Sequence, residues 1–209
     1  MKKLFRILLA GLRSLPSETI IPVGGLYVKI RKIPPLLTGF IHTALRVCDG
    51  VRFHNGSTCR FCGGSLSGYD ERKKRFAILI EDNNPSPVQV IIQRSYCRKC
   101  GNTPTPVEPF YPGTRIGSPL VDLCRSLSEI MPHSRASRYM RKMGVSVDRW
   151  SVRNYALMPL PEVPSVEVCG MQIPVSIVAL SSLAATPPLS GTYDMDDILL
   201  ACKYPFITL

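Results

Sequence analysis

The sequence predicts an α+β protein: a small β-hairpin module gripped by cysteines, followed by a bundle of three short helices. Three observations carry this expectation. Two copies of one motif occur, Cys59-Arg60-Phe61-Cys62-Gly63 and Cys97-Arg98-Lys99-Cys100-Gly101. Between them lie two strand-like runs, Phe76-Ala77-Ile78-Leu79-Ile80 and Val88-Gln89-Val90-Ile91-Ile92, joined by the turn formers Asp82-Asn83-Asn84-Pro85-Ser86-Pro87. Beyond them, residues 118–158 break into amphipathic stretches punctuated by Pro132 and Gly144.

The first segment, 1–50, reads as a small mixed α/β unit. Residues 1–15 place Leu4, Ile7, Leu8 and Leu12 on one face of a basic amphipathic helix. Arg6 and Arg13 interrupt the apolar stretch and no small-residue cleavage site follows, so it is not read as a signal peptide. Tyr27, Val28 and Ile30 suggest a short strand after Gly24-Gly25, ended by Pro34-Pro35, with a helix over 36–47. This unit is expected to pack against the chain beyond residue 50.

Residues 51–117 form the cysteine module. Two thiolates at i and i+3 grip one face of a tetrahedral ion only if the chain between them turns tightly. The glycine after each second cysteine permits that turn, because it accepts positive φ without a Cβ clash. Cys59, Cys62, Cys97 and Cys100 supply four thiolates, the ligand count of a closed structural Zn²⁺ site, so one structural ion is expected, with the sulfurs converging to about 4 Å. This is the zinc-ribbon plan, in which the metal clamps the open end of a small sheet. His54 precedes Cys59 by five and is not needed once four cysteines close the shell. Cys48, Cys124, Cys169 and Cys202 have no ligand spacing and read as small buried apolar residues; His42 and His133 have no partner pattern. Glu71-Arg72-Lys73-Lys74-Arg75 is either a solvated face or a phosphate contact.

In residues 118–158, Ser118 is expected to cap the first helix, with Pro119 in its first turn, and Ser134 to cap a second over 135–143 that stops at Gly144. Asp148 is expected to cap a third over 149–157, with Val145 and Val152 facing the core. Helix, glycine, short turn and helix make a helix-turn-helix pattern. Arg149, Ser151, Arg153 and Asn154 on the third helix, with Arg138 and Lys142 on the second, are the candidate DNA contacts, since arginine pairs bidentately with guanine and asparagine with adenine. Trp150 and Tyr155 are expected to pack. The alternative is a helical bundle that touches no DNA. Residues 159–209 are proline-rich, then apolar, with a strand or helix over 173–183 and a short helix over 196–202.

Over its 209 residues the chain carries 26 Lys and Arg against 15 Asp and Glu, a net charge of +11, which favours a polyanion partner. Its 19 prolines favour small modules over one long regular architecture. No long apolar run free of charge and proline occurs, so no membrane segment is expected. Paired cysteine motifs without an export signal point to a reducing cytoplasm, with nucleoid association following from DNA binding.

The stretches Tyr96-Cys97-Arg98-Lys99-Cys100-Gly101 and Gly144-Val145-Ser146-Val147-Asp148-Arg149-Trp150-Ser151-Val152 resemble the amino-terminal half of prokaryotic insertion-sequence transposases, a zinc ribbon closely followed by a helix-turn-helix. The resemblance spans roughly residues 55–158. It implies binding to double-stranded DNA. It also implies a catalytic core of three carboxylates holding two Mg²⁺ ions, which stabilise attacking and leaving oxygens together. Only about 50 residues come after Leu157, and their acids are Glu162, Glu167, Asp194, Asp196 and Asp197, the last three within one turn. No catalytic residue is assigned, and a transposase-derived, catalytically inactive DNA-binding protein is expected. The alternatives are a zinc-ribbon module that docks on a nucleic-acid machine, and a fragment of an active transposase. Helix-turn-helix proteins often pair to read half-sites, so a homodimer remains open.

Overall fold

The structure, a computed structural model, describes residues 18–23, 26–31, 33–188 and 191–202, the first two segments by backbone alone. The helix expected over residues 1–15 lies outside them. The described residues form a mixed α+β fold with six helices and three small sheets.

An antiparallel hairpin, β1 (Glu18–Val23) and β2 (Leu26–Arg31), precedes helix α1 (Pro35–Arg46), which starts on the extended Pro34. The central sheet has the order β3-β5-β4, with β3 (Arg52–Phe53) parallel to β5 and β4 (Leu66–Glu81) antiparallel to it. Strand β5 spans Asn84–Cys97.

Both long strands exceed their expected extents. Asp82 and Asn83 alone make the turn, at φ 50° and 65°, a left-handed pair that asparagine and aspartate tolerate. Pro85 and Pro87 therefore sit inside β5, opposite Ile80 and Ile78. Being two residues apart, they withhold N–H groups along one edge only. At the other end β4 runs back through the charged run to Leu66.

Helices α2 (Ser118–Ile130), α3 (His133–Lys142) and α4 (Arg149–Ala156) come next. Two expected caps differ. Ser118 is not the N-cap of α2; Gly117 is, and the buried Ser118 hydroxyl has no hydrogen-bond partner among the described residues. A Cβ on Gly117 would meet the Phe76 ring at 2.2 Å, so glycine lets the helix start against the sheet. Ser134 is not the cap of α3, which starts after Pro132. Asp148 does cap α4, its Oδ1 accepting the Ser151 N–H at 2.9 Å. Gly144 closes α3 at φ 77°, as expected of a glycine stop. The segment over 173–183 is both strand and helix: β6 (Ser165–Val168) pairs with β7 (Met171–Pro174), which runs directly into α5 (Val175–Ala184). Helix α6 (Met195–Ala201) ends the described chain, with Asp194 as its cap.

One cluster of buried side chains joins these pieces. Leu37, Ile41 and Leu45 of α1, Phe76 and Leu79 of β4, Val88 and Val90 of β5, Leu120 and Leu127 of α2, Met140 of α3, Val152 of α4, and Ile177 and Leu180 of α5 all belong to it. Cys48, Cys124 and Cys202 are buried in it as small apolar residues, while Cys169 packs at its edge.

The α3–α4 turn is tied to the sheet by backbone. Ile80 N–H donates to the Gly144 carbonyl at 2.8 Å, and Ser146 N–H donates to the Ile78 carbonyl at 2.8 Å. His42 of α1 reaches the same Gly144 oxygen at 2.8 Å. A carbonyl only accepts, so Nε2 of His42 carries the proton. His42 thus has a structural partner that its sequence context did not reveal.

Candidate metal centre and basic helical face

The two cysteine loops repeat one geometry. Gly63 N–H donates to the Cys59 carbonyl at 2.8 Å, and Gly101 N–H donates to that of Cys97 at 2.9 Å. Cys59 N–H donates to Gly64 O at 2.8 Å, and Cys97 N–H donates to Asn102 O at 2.9 Å. Gly63 and Gly101 lie at φ 69° and 73°, the conformation the motif requires. The first loop precedes β4 and the second comes after β5, so strand pairing brings the two together: Leu66 lies opposite Cys97.

The four sulfurs lie within 4.8 Å of one another. Cys59 Sγ is 3.8 Å from Cys100 Sγ, and Cys62 Sγ is 3.5 Å from Cys97 Sγ. Metal–sulfur bonds of about 2.3 Å in a tetrahedron put sulfurs about 3.8 Å apart. The donor set therefore fits a metal ion, with the longest separation looser than the expected convergence. His54 is not part of this group; its ring contacts the Asn55 carbonyl.

The loops also supply the donors that thiolates need. Gly64 N–H points at Cys62 Sγ at 3.4 Å, and Asn102 Nδ2 at Cys100 Sγ at 3.5 Å. The Cys100 N–H, aided by that of Lys99, draws the Cys97 thiol down to about 6 against the effect of burial. The Gly64 N–H favours the Cys62 thiolate, yet burial and the neighbouring thiols push Cys62 up to about 12. One sulfur ionises at its neighbours' expense. Four thiolates this close need a cation among them.

Gly64 escaped the sequence reading. It needs no positive φ, yet a Cβ there would stand 2.8 Å from Lys99 Cβ, 3.2 Å from Cys97 Sγ and 3.3 Å from Cys62 Sγ. The only hint was the doubled glycine, Cys62-Gly63-Gly64.

The candidate DNA contacts fall on the exposed surface of α3 and α4. Arg138, Lys142, Arg149, Arg153 and Asn154 are exposed. Ser151 is half-buried, and its hydroxyl donates to Asp148 Oδ2 at 2.6 Å, so it is engaged in holding the helix start. That bond and the backbone bond from Ser151 hold the Asp148 carboxyl below its usual range. Among the described residues, the arginines and lysine of α3 and α4 form no ion pair. Val145 and Val152 face the core as expected, and Tyr155 packs at 8% exposure. Trp150 does not pack: it is 66% exposed, with the Arg153 guanidinium 5.7 Å from its ring centre. It shares the exposed side of α4 with Arg149 and Arg153, where burial would require a partner.

The run 71–75 is half neutralised. Glu71 pairs with Arg52, Arg72 with Asp70 at 3.3 Å, and Lys74 with Glu108 at 2.5 Å. Lys73 and Arg75 remain exposed. No helix among the described residues is long and apolar enough to cross a membrane.

No protein-family model matches the chain, and neither does any curated protein or solved structure.

Proposed function

We propose that the chain is a zinc-dependent DNA-binding protein, a zinc ribbon followed by a helix-turn-helix, derived from the DNA-recognition region of an insertion-sequence transposase and carrying out no catalytic step. Four sulfurs, with no harder donor in the cluster among the described residues, make Zn²⁺ the ion of choice for the cysteine site, in the reducing cytoplasm assumed for it. The observation that carries the DNA reading is the exposed face of α3 and α4. It presents six cationic side chains, at 135, 138, 141, 142, 149 and 153, that form no ion pair among the described residues, with Asp148 as the acid between them. In this reading α4 enters the major groove, Arg149, Arg153 and Asn154 meet base edges, and Arg138 and Lys142 meet phosphates. Ser151 serves the helix start and only secondarily the DNA. On the carboxyl-terminal acids, Asp194 accepts the Asp196 N–H at 3.0 Å and so starts α6, a structural use for one of the three crowded carboxylates.

The test is duplex binding as a function of salt. Neutralising up to six phosphates gives a log–log slope of about −5 at most. Arg153→Ala should flatten sequence preference, whereas Lys73→Ala should weaken binding to all sequences alike. Equal, uniform losses from both would count against α4 as the reader.

A second reading has its own observation. Ile130, Trp150 and Leu157 are exposed by 56%, 66% and 68%, an apolar presence that suits docking on a protein of the nucleic-acid machinery. Absence of any duplex shift at micromolar protein would favour it.

A further inference from the structure

The cysteine end of the hairpin carries a feature that duplex recognition by α4 leaves unused. Strand β4 pairs Gly68 with Ser95 and Asp70 with Arg94, which leaves Tyr69 as the extra residue of a bulge. A bulge re-aims its side chain. Tyr69 is turned towards Tyr96 of β5, with ring centres 6.4 Å apart and planes tilted by 33°. Both rings are open to solvent, Tyr69 at 60% and Tyr96 at 38%. Exposed neighbouring tyrosines on a sheet need a reason, because burying either would remove apolar surface from water.

A cation backs the pair. The Arg94 guanidinium sits 5.2 Å from the Tyr69 ring centre. Asp70 fixes it there: Arg94 Nε donates to Asp70 Oδ1 at 2.6 Å and its Nη2 to Oδ2. That bond, with the nearby Arg72, holds the Asp70 carboxyl below its usual range, so its charge is taken up by the arginines. The adjacent second cysteine loop adds Arg98 and Lys99, both exposed.

From this arrangement we propose that Tyr69 and Tyr96, backed by Arg94, form a stacking platform for unpaired bases of single-stranded DNA, a site separate from the face of α4. Aromatic rings beside a cationic track are what sequence-tolerant strand binding requires, since every base offers a π-face and every nucleotide a phosphate. Charge complementarity selects the occupant: the exposed Arg98 and Lys99 suit phosphates, while Arg94, held by Asp70, backs the ring, and the rings suit the bases between the phosphates. The choice of DNA rests on the reading of the chain as a DNA-binding protein; the stacking chemistry does not.

The experiment measures anisotropy of a labelled oligodeoxythymidylate, with duplex DNA and oligouridylate in parallel, on the full chain loaded with zinc. The expected result is binding of the single strand that weakens at least about tenfold in Tyr69→Leu/Tyr96→Leu. Tyr69→Phe/Tyr96→Phe keeps the binding, because the rings stack without their hydroxyls. Cobalt substitution checks that the leucine variant keeps its four-sulfur site, through the thiolate charge-transfer bands. Duplex binding should be unchanged in both variants. Single-strand affinity equal in wild type and a cobalt-competent leucine variant would overturn the platform, as would no binding of the single strand at low salt. Tighter binding of oligouridylate would overturn the choice of DNA. Absence of duplex binding in wild type with single-strand binding intact would sink the α4 reading and leave the platform standing.

Discussion

Cys97 is fully buried while Cys100, three residues on, is exposed, so the four clustered cysteines do not share one environment. Gly64 stands against the buried side, where a methyl group has no room between Lys99 and the two sulfurs. If the four sulfurs hold zinc as proposed, Gly64→Ala weakens that binding by about 10- to 100-fold, the range for changes just outside a metal's ligands, in a competition titration against a chelator. Gly63 and Gly101 were readable from the motif because their role is a backbone angle. Gly64 was not, because its role is a distance across the hairpin. Asp122 of α2 is a buried acid. Its carboxylate accepts from the Tyr111 hydroxyl at 3.0 Å and faces Ser176 at 3.5 Å, and burial lifts it from the usual range to about 6. The folded chain holds the proton more tightly than the unfolded one, so stability is greatest below the unfolded value near 4 and falls as pH rises from about 4 to about 6. Asp122→Asn, which keeps an acceptor for Tyr111, should flatten that segment of a profile of unfolding free energy against pH, measured with denaturant, by about 3 kcal/mol at most. An unchanged slope would show that Asp122 titrates normally.

Strand β4 has two halves with different anchors. From 66 to 75 none of its residues is buried, whereas Phe76, Ala77 and Leu79 are. The turn end belongs to the core; the cysteine end is held by pairing with β5 and by the loops. Chelation is therefore expected to free amide exchange over residues 57–75 and 93–102 while leaving 76–81 and 88–92 protected. Uniform loss of protection would mean that the metal holds the whole fold. The same division explains what sequence reasoning could see. Residues 76–80 and 88–92 read as strands because apolar side chains meet the core there. Residues 66–75 did not, because a charged stretch exposed along its length leaves no alternating pattern. The caps obeyed a similar rule: Asp148 was readable from local chemistry, but Gly117 takes the N-cap position of α2 where a Cβ would strike the Phe76 ring, a residue distant in sequence.

Across the molecule, the sheet, the three helices and the flanking α1 and α5 share one buried cluster. The α3–α4 turn is consequently part of the sheet's edge, held at Gly144 by Ile80 and His42. Gly144→Ala combines a positive φ with a Cβ placed 2.0 Å from the His42 ring nitrogen. It should cost about 2 kcal/mol or more, read as a lower unfolding midpoint, and it should weaken duplex binding by displacing α4. His42→Ala together with Gly144→Ala should recover part of the loss, since the clash is mutual. Gly144 was readable as a helix stop, but its contact with His42 was not, because the two lie on elements that sequence patterns assign separately. The carboxyl-terminal segment was equally opaque: β7 runs straight into α5, and one apolar run serves both. In the function proposed above, four sulfurs from the two loops enclose a single zinc ion. Metal content and X-ray absorption of the full chain, purified without added metal, test it together. One zinc per chain with four sulfur neighbours at about 2.3 Å is the predicted result; a folded chain that contains no metal, or an ion with fewer than four sulfurs around it, would contradict it.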